Sequence, residues 1–395
     1  MSENPNIIGQ GAYGCIYKPA IKCNAESPTN YITKVQRLDT VAENEVTTGK
    51  KIKSIKNYQK HFAPIEKTCQ LNVANVSQTQ INYCDIYDDK NTFVSNQIKY
   101  VGEQTLHTAL FNHYKTNTNR FDKVLKKTFL DLLKSLEILF NNQFIHMDIK
   151  ENNIMVKTHQ PTSIIIDFGL TFSLDAYKPK DVFFMYVNDY SPWTLDQTMI
   201  SYAINKVNDW ENKKVNIAAI QYVINDFVKY RNFLNVKNQA KYIKEQKSYY
   251  EKYVTKTWKE LYDDLMEQTY FWDIYALCNV YYSFINYDNM LQKRYQSFIV
   301  FLESLMLASP DQRKTHKVII EEFKSLMSIK ATPKTQKTPK TPKTQKTPKT
   351  PTPTEKSINK IEKSILKNRI SELKNSRKLR SQSRRNSKVR VPTKQ

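Results

Sequence analysis

Glycine is almost absent from this chain except in one place. Its 395 residues hold six glycines, where average usage would put roughly 28. Gly9, Gly11 and Gly14 share one six-residue window. A chain so short of residues that tolerate unusual backbone reserves them for tight turns and close approaches, so the window marks a built loop. A G-x-G-x-x-G pattern has two physical forms. One is a strand-turn-helix that rests a pyrophosphate on a helix N-terminus, and the other is a strand-turn-strand flap whose backbone covers nucleotide phosphates. Ile16-Tyr17 continues strand-like and the next run, Tyr31 to Val35, is strand-like again with no helix between. The flap is therefore expected, built from Ile8, Gly9, Gln10, Gly11, Ala12, Tyr13, Gly14, Cys15 and Ile16.

Further along, charged residues interrupt apolar runs at places where charge needs a partner. Lys34 lies inside an apolar strand, where an ammonium is costly unless a ligand or an acid meets it. The helical run that follows offers Glu43 and Glu45, and Glu45 is preferred because Ile52 and Ile55 share its helical spacing. Then comes Phe144-Ile-His146-Met147-Asp148-Ile-Lys150-Glu-Asn-Asn153, with Asp167-Phe168-Gly169 ending the apolar run Ile164 to Ile166. An Asp at the end of such a run projects its carboxylate where a strand gives way to a loop. That suits Mg²⁺, which prefers oxygen ligands and keeps bound waters. Asn153 can give a second, neutral oxygen, and Asp148 has the chemistry of a base beside a substrate hydroxyl.

Charge divides the chain. Residues 331–395 carry net +17 of the total +23. They open with Thr332-Pro-Lys-Thr-Gln-Lys-Thr-Pro-Lys340, repeated as 341–349, a proline- and lysine-rich pattern with nothing apolar to offset ordering entropy. A linker at 331–354 and a basic tail at 355–395 are expected to be disordered. Before them, an apolar content of 40% overall is ample for a core. Short strand-like runs fill the first hundred residues. The set Val124, Leu125, Phe129, Leu132, Leu133, Leu136, Leu139 and Phe140 then opens a mainly helical part at i, i+3, i+4, i+7 spacing. The five cysteines form no C-x-x-C pair and are odd in number, so neither a disulfide framework nor a zinc module is expected, and a reducing compartment is the default. No apolar run is long enough for a signal peptide or a membrane span.

With these motifs in order across roughly residues 5–325, the sequence resembles the eukaryotic-type protein kinase superfamily. The resemblance implies an α+β bilobal kinase fold, with an N-lobe at 1–103 and a C-lobe at 104–330. It implies that Gly9, Gly11 and Gly14 cover ATP phosphates and that Lys34 contacts the α and β phosphates and is held by Glu45. Asp148 is then the catalytic base, Lys150 steadies the γ-phosphate, and Asn153 and Asp167 hold Mg²⁺. Tyr100-Val101-Gly102 is the implied hinge, Asp273 the acid of the central C-lobe helix, and Arg313 the late structural arginine. Lysine two places after the base is the serine/threonine-type arrangement, so a protein with Ser or Thr acceptors is the implied substrate. A nucleotide-binding scaffold without transfer activity is the competing reading, weakened by the presence of Lys34, Asp148, Asn153 and Asp167. A small-molecule kinase of related fold is the third.

Departures from the family pattern carry information of their own. Met147 stands where many members have an arginine that docks a phosphorylated loop, so competence without that phosphorylation is expected. No Ala-Pro-Glu follows Asp167, and Ser191-Pro192-Trp193 with Asp196 is the nearest substitute, Asp196 being a partner for Arg313. The 76 residues between Asp196 and Asp273 imply a helical insertion at about 197–272, read as extra packing surface. With the scarce glycine, it resembles the divergent serine/threonine kinases of large nucleocytoplasmic DNA viruses, the iridescent viruses among them. An intracellular location, in host cytoplasm or virion, follows from that resemblance, and Arg377 to Arg390 allows a nuclear one. The tail's spaced Lys/Arg clusters suit non-specific nucleic-acid binding by counterion release. Deleting 331–395 is expected to abolish retention on DNA at low salt, and unchanged retention would exclude the tail as the binding element.

Overall fold

The computed structural model describes residues 5–11, 13–23, 30–88, 90–102, 104–116, 118–157, 161–231, 233–234 and 236–328. Ala12 and the linker and tail at 331–395 lie outside them, so the nucleic-acid reading of the tail has no structural counterpart.

The N-terminal region is a five-stranded sheet with one long helix. Strands β1 (Asn6–Gly11), β2 (Gly14–Lys18) and β3 (Tyr31–Arg37) precede α1 (Thr40–Ile52), β4 (Phe62–Ala63), β5 (Ile65–Gln70), the short α2 (Gln78–Asn82) and β6 (Phe93–Lys99). The sheet order is β1-β2-β3-β6-β5. β1 and β2 are the two arms of the expected flap, and no helix intervenes. Gly14 is required there: a Cβ at this position would meet the Val35 carbonyl oxygen at 2.6 Å. Asp39 caps α1 by accepting from the amides of Val41 and Ala42, which satisfies two of the four donors a helix start leaves open.

Next come β7 (Gln104–Thr105), α3 (Leu106–Thr116), α4 (Thr118–Asn141), β8 (Phe144–Ile145), β9 (Ile154–Val156), β10 (Ser163–Ile166) and β11 (Phe172–Ser173). A second sheet runs β4-β10-β9-β7, and β8 pairs with β11. The loops after β8 and β10 are thereby brought side by side. The remainder is helical: α5 (Pro179–Val182), α6 (Leu195–Lys206), α7 (Ile217–Val228), α8 (Val236–Glu251), α9 (Trp258–Met266), α10 (Thr269–Asn286), α11 (Asn289–Arg294), α12 (Gln296–Met306) and α13 (His316–Ser328). The α4 stripe is buried as its spacing requires, with Phe140 half-buried at its end, and α10 is buried on nearly every side. Thr128 on α4 receives the Tyr281 hydroxyl from α10 at 2.7 Å. Among the described residues, no helix is long and apolar enough to cross a membrane.

The cysteines correct the sequence expectation. Cys15 is bonded to Cys84 and Cys23 to Cys69, while Cys278 is free and buried. Partners 69 and 46 residues apart leave no local spacing signature, and an odd count conceals two pairs plus one core thiol.

Asp196, at the start of α6, is fully buried and takes the Arg313 guanidinium through both oxygens. The same carboxylate accepts from Tyr250 of α8 at 2.9 Å and from the Trp272 indole of α10 at 3.3 Å, so one charge joins four segments. Removing the guanidinium leaves this carboxylate buried and uncompensated. Arg313→Ala is expected to lower unfolding free energy by about 3–5 kcal/mol, read by urea denaturation, and a loss under about 1 kcal/mol would show that the pair is not structural.

Candidate active site

Three charged groups meet between the flap sheet and the loop after β10. Lys34 projects from β3, where it lies opposite Asn96 of β6. Its ammonium donates to both Glu45 oxygens, at 3.0 and 2.8 Å, and to Asp167 Oδ1 at 2.8 Å. Glu45 lies on the buried face of α1 with Ala42, Thr48 and Ile52, whereas Glu43 is exposed in the first turn. The helical-spacing choice of Glu45 therefore corresponds to the pair the fold makes.

Two carboxylates thus share one ammonium, and their titration differs accordingly. Burial pulls the Lys34 ammonium down, but Asp167 and Glu45 together outweigh it and hold it above its ordinary value. Burial also opposes the charge of Asp167, yet Lys34, with Lys150 and His146 behind it, brings this carboxyl down to about 2. Glu45, buried and facing the Asp167 charge as well as Lys34, stays above the usual carboxylate range. Gln36, two places along β3 on the same face, donates to Glu45 Oε2 at 2.9 Å and accepts from Asn96 at 2.7 Å. Sequence reasoning missed Gln36 and Asn96. The period-two position of Gln36 was the available signal, but nothing local pointed to Asn96.

The loop between β8 and β9 holds Asp148 from several directions. Asp273 of α10 accepts the backbone amides of His146 and Met147 at 2.7 and 3.0 Å. Burial raises this acid even so. His146 Nδ1 accepts the Asp148 amide at 3.3 Å, and the imidazole edge meets the Phe168 ring. Met147 and Asp167, both non-glycine, take φ of 68° and 66°. Left-handed backbone at such residues stores strain and gathers where a site needs fixed geometry. Asp148 Oδ2 accepts from Lys150 Nζ and from Asn153 Nδ2, each at 2.9 Å. Asp148 Oδ1 accepts from the hydroxyl of Tyr190.

Asn153 donates twice through Nδ2, to the Asp148 carbonyl and carboxylate, and its Oδ1 takes part in neither bond. The donor set expected for a metal is thus one amide oxygen and the Asp167 carboxylate, whose side chain remains about one-third exposed at 32%. Among the described residues, no cluster of three His, Cys, Asp or Glu could hold a metal by itself. Two hard oxygens and no closed cage fit Mg²⁺, which is bound through one or two protein oxygens, waters and substrate phosphates.

The flap is tied down on its outer side. Ile7 N–H donates to Gln80 Oε1 at 2.9 Å, the Tyr17 hydroxyl reaches the Gln80 carbonyl at 3.2 Å, and Gln10 Oε1 accepts the Asp85 amide at 3.1 Å. With the Cys15–Cys84 bond, these fasten both flap strands to residues 80–85. The Gln10 and Cys15 side chains, placed at the nucleotide by the sequence, face this anchor instead. Ile8 is exposed, Ile16 lies opposite Lys34, and Gly9 and Gly11 stand at the end of β1.

The segment leading to Asp196 is held by the stretch anticipated as packing surface. Asp226 of α7 accepts from Tyr186 at 2.9 Å and Asn188 at 2.5 Å. Arg231, buried over the Phe227 ring, donates to the carbonyls of Tyr190 and Trp193 at 3.3 and 3.2 Å. Met147 meets Gln197 of α6 through its sulfur, with no basic group in the place of a phosphate-docking arginine.

The protein kinase domain family matches residues 2–323, so the chain belongs to that family. The chain is similar to the MAP kinase kinase MKK1/SSP32 of Saccharomyces cerevisiae (strain ATCC 204508 / S288c), at 26% identity over 170 residues. That match covers 43% of this chain and 30% of the yeast protein, so the chain spans less than a third of that relative.

Asp226→Ala removes the acceptor shared by Tyr186 and Asn188. Losing hydrogen bonds to a charged group, each worth roughly 1.5–3 kcal/mol, is expected to speed amide exchange across 183–190 by about ten-fold or more. Unchanged protection by mass-resolved hydrogen exchange would show that α7 does not hold the segment.

Proposed function

We propose that this chain transfers the γ-phosphate of ATP to serine or threonine hydroxyls of a protein. The observation that carries the reading is Asp148: one oxygen held by Lys150 and Asn153, the other turned to a hydroxyl. A base in that state accepts the proton of an attacking alcohol. Lys150 is bound to Asp148 and would share its charge with an incoming phosphate, and Lys34, fixed by Glu45, would offer its ammonium to phosphates nearer the flap. Asn153 and Asp167 would hold Mg²⁺, which when bound neutralises phosphate charge in this chemistry.

Serine/threonine preference rests on Lys150 lying two residues after Asp148, with the partial likeness to a MAP kinase kinase beside it. Competence without phosphorylation of the loop is supported by Met147 at the docking position and by the hold of Asp226 and Arg231 on the segment. The virus-encoded origin and intracellular site of action are part of the same proposal, supported by the glycine-poor composition and the long insertion. Non-specific nucleic-acid binding through 331–395 is supported by net +17 over those residues.

Labelled ATP with Mg²⁺ and generic protein acceptors, comparing wild type with Asp148→Asn, tests the reading. Loss of the general base is expected to lower transfer by roughly 10²–10⁴-fold, with phosphoserine and phosphothreonine in the acceptor. Equal transfer by the variant would remove Asp148 from its role. Nucleotide binding with no transfer by wild type would put the scaffold reading in its place.

A further inference from the structure

Glu45 is gripped twice from one strand. Lys34 and Gln36 stand two positions apart on β3 and so share a face, and both donate to Glu45 Oε2, at 2.8 and 2.9 Å. Val35 between them belongs to a different apolar cluster, on the other face of the sheet. Lys34, Gln36, Glu45 and Asn96 are all buried. A carboxylate that holds an ammonium can only accept, so Gln36 must present Nε2 to it and turn Oε1 away. Asn96 meets that oxygen with Nδ2 at 2.7 Å. Donors and acceptors along Asn96, Gln36 and Glu45 therefore run in a single sense.

Two observations give this row a task beyond filling space. Asn96 Oδ1 has no hydrogen-bond partner among the described residues, and a buried polar atom left bare lowers stability. An apolar side chain of the same size would fill the place without that loss, so what Asn96 contributes is the one donation that keeps the Gln36 amide from turning over. The second observation is the division of Lys34 between two acids of unequal exposure. The Asp167 side chain is 32% exposed and that of Glu45 only 2%, so a phosphate approaching Lys34 competes with Asp167. The hold that remains is that of Glu45. A carboxylate gripped by one donor can pivot about it, whereas one gripped by two donors from the same strand cannot.

We propose that Gln36, oriented by Asn96, is a positioning residue for Lys34, fixing the Glu45 carboxylate so that the ammonium faces the nucleotide phosphates in one orientation. The inference rests on the transfer activity proposed above and adds to it two side chains that touch no substrate. Without this clamp the chain divides between a form with Lys34 in place and a form without, and nucleotide draws on the first. Apparent affinity then falls by the fraction in place, while turnover at saturation is kept. A part that only supports the fold acts in the opposite way. Its loss lowers the number of active molecules and leaves the affinity of the remainder unchanged.

The test uses the full chain with Mg²⁺-ATP and a generic protein acceptor, reading KM and kcat by transfer and the Kd of ATP by titration calorimetry. The main variant replaces both partners by apolar groups of like shape, Gln36→Met with Asn96→Leu, an exchange close to neutral for folding. Removing a hydrogen bond to a charged group is expected to raise KM and Kd for ATP roughly ten-fold, with kcat kept within about two-fold. Gln36→Met alone is expected to give the same KM even where it lowers the urea midpoint, because Asn96 acts only through Gln36 and KM does not depend on how much of the chain is folded. KM and Kd equal to those of wild type would overturn the proposal. So would a fall in kcat at unchanged KM, the mark of a purely structural part. Wild type that binds ATP without transferring phosphate would bring down the proposed function, and the ratio of Kd values would still decide the clamp, a ten-fold rise sustaining it and no rise overturning it. Wild type with no affinity for ATP would overturn both.

Discussion

One ammonium holds the site together. Lys34 reaches from the flap sheet to a helix on one side and to the loop after β10 on the other, so three separately folded pieces agree on a single position. Its charge is buried and is tolerable there only because two carboxylates meet it. Displacing the ammonium would leave two carboxylates facing each other without compensation, and the remaining geometry depends on avoiding that state. The Gln36–Asn96 extension ties the same knot into the middle of the sheet, where β3 and β6 are paired along seven residues.

Around that knot the molecule divides its labour by mechanical character. The loop bearing Asp148 is fastened from beneath by Asp273 on a helix buried in the largest apolar cluster, so Asp148 inherits the rigidity of that core. The segment opposite it sets Phe183 and Trp193 into the same cluster and is held besides by polar contacts from α7 and Arg231. The insertion is therefore part of the site's support, whereas its sequence suggested only additional packing surface. A buried guanidinium and a carboxylate on neighbouring elements place the loop through directional bonds, which constrain orientation more tightly than apolar contact does.

How much could be foreseen follows from what the chain encodes locally. Lys34, Asp148, Lys150, Asn153 and Asp167 were legible because each sits at a fixed short offset from a strand end or from another motif residue. Glu45 was legible through helical periodicity, and α4 through its apolar stripe. Tyr190, Asp226 and Arg231 were not, because their meaning lies in pairings some 40 residues apart, and a tyrosine in a polar stretch looks like any other. The Asp196–Arg313 pair, 117 residues apart, was reached only by family resemblance. The disulfides escaped for the same reason, with no local spacing to announce them.

Those disulfides make the two halves of the molecule respond to different agents. The apolar cluster of the helical part is large and continuous, while the cluster beneath the flap is small and includes two of the bonded cysteines. A cross-link closing 69 residues restricts the unfolded chain by about 4 kcal/mol on a chain-entropy account, and the nested 46-residue closure adds less than its separate value because it lies inside the first. Reduction of these bonds therefore acts on the half that carries the flap and leaves the half that carries Asp148 on its own apolar core. The Lys34 cluster joins a side whose firmness depends on redox surroundings to one whose firmness does not.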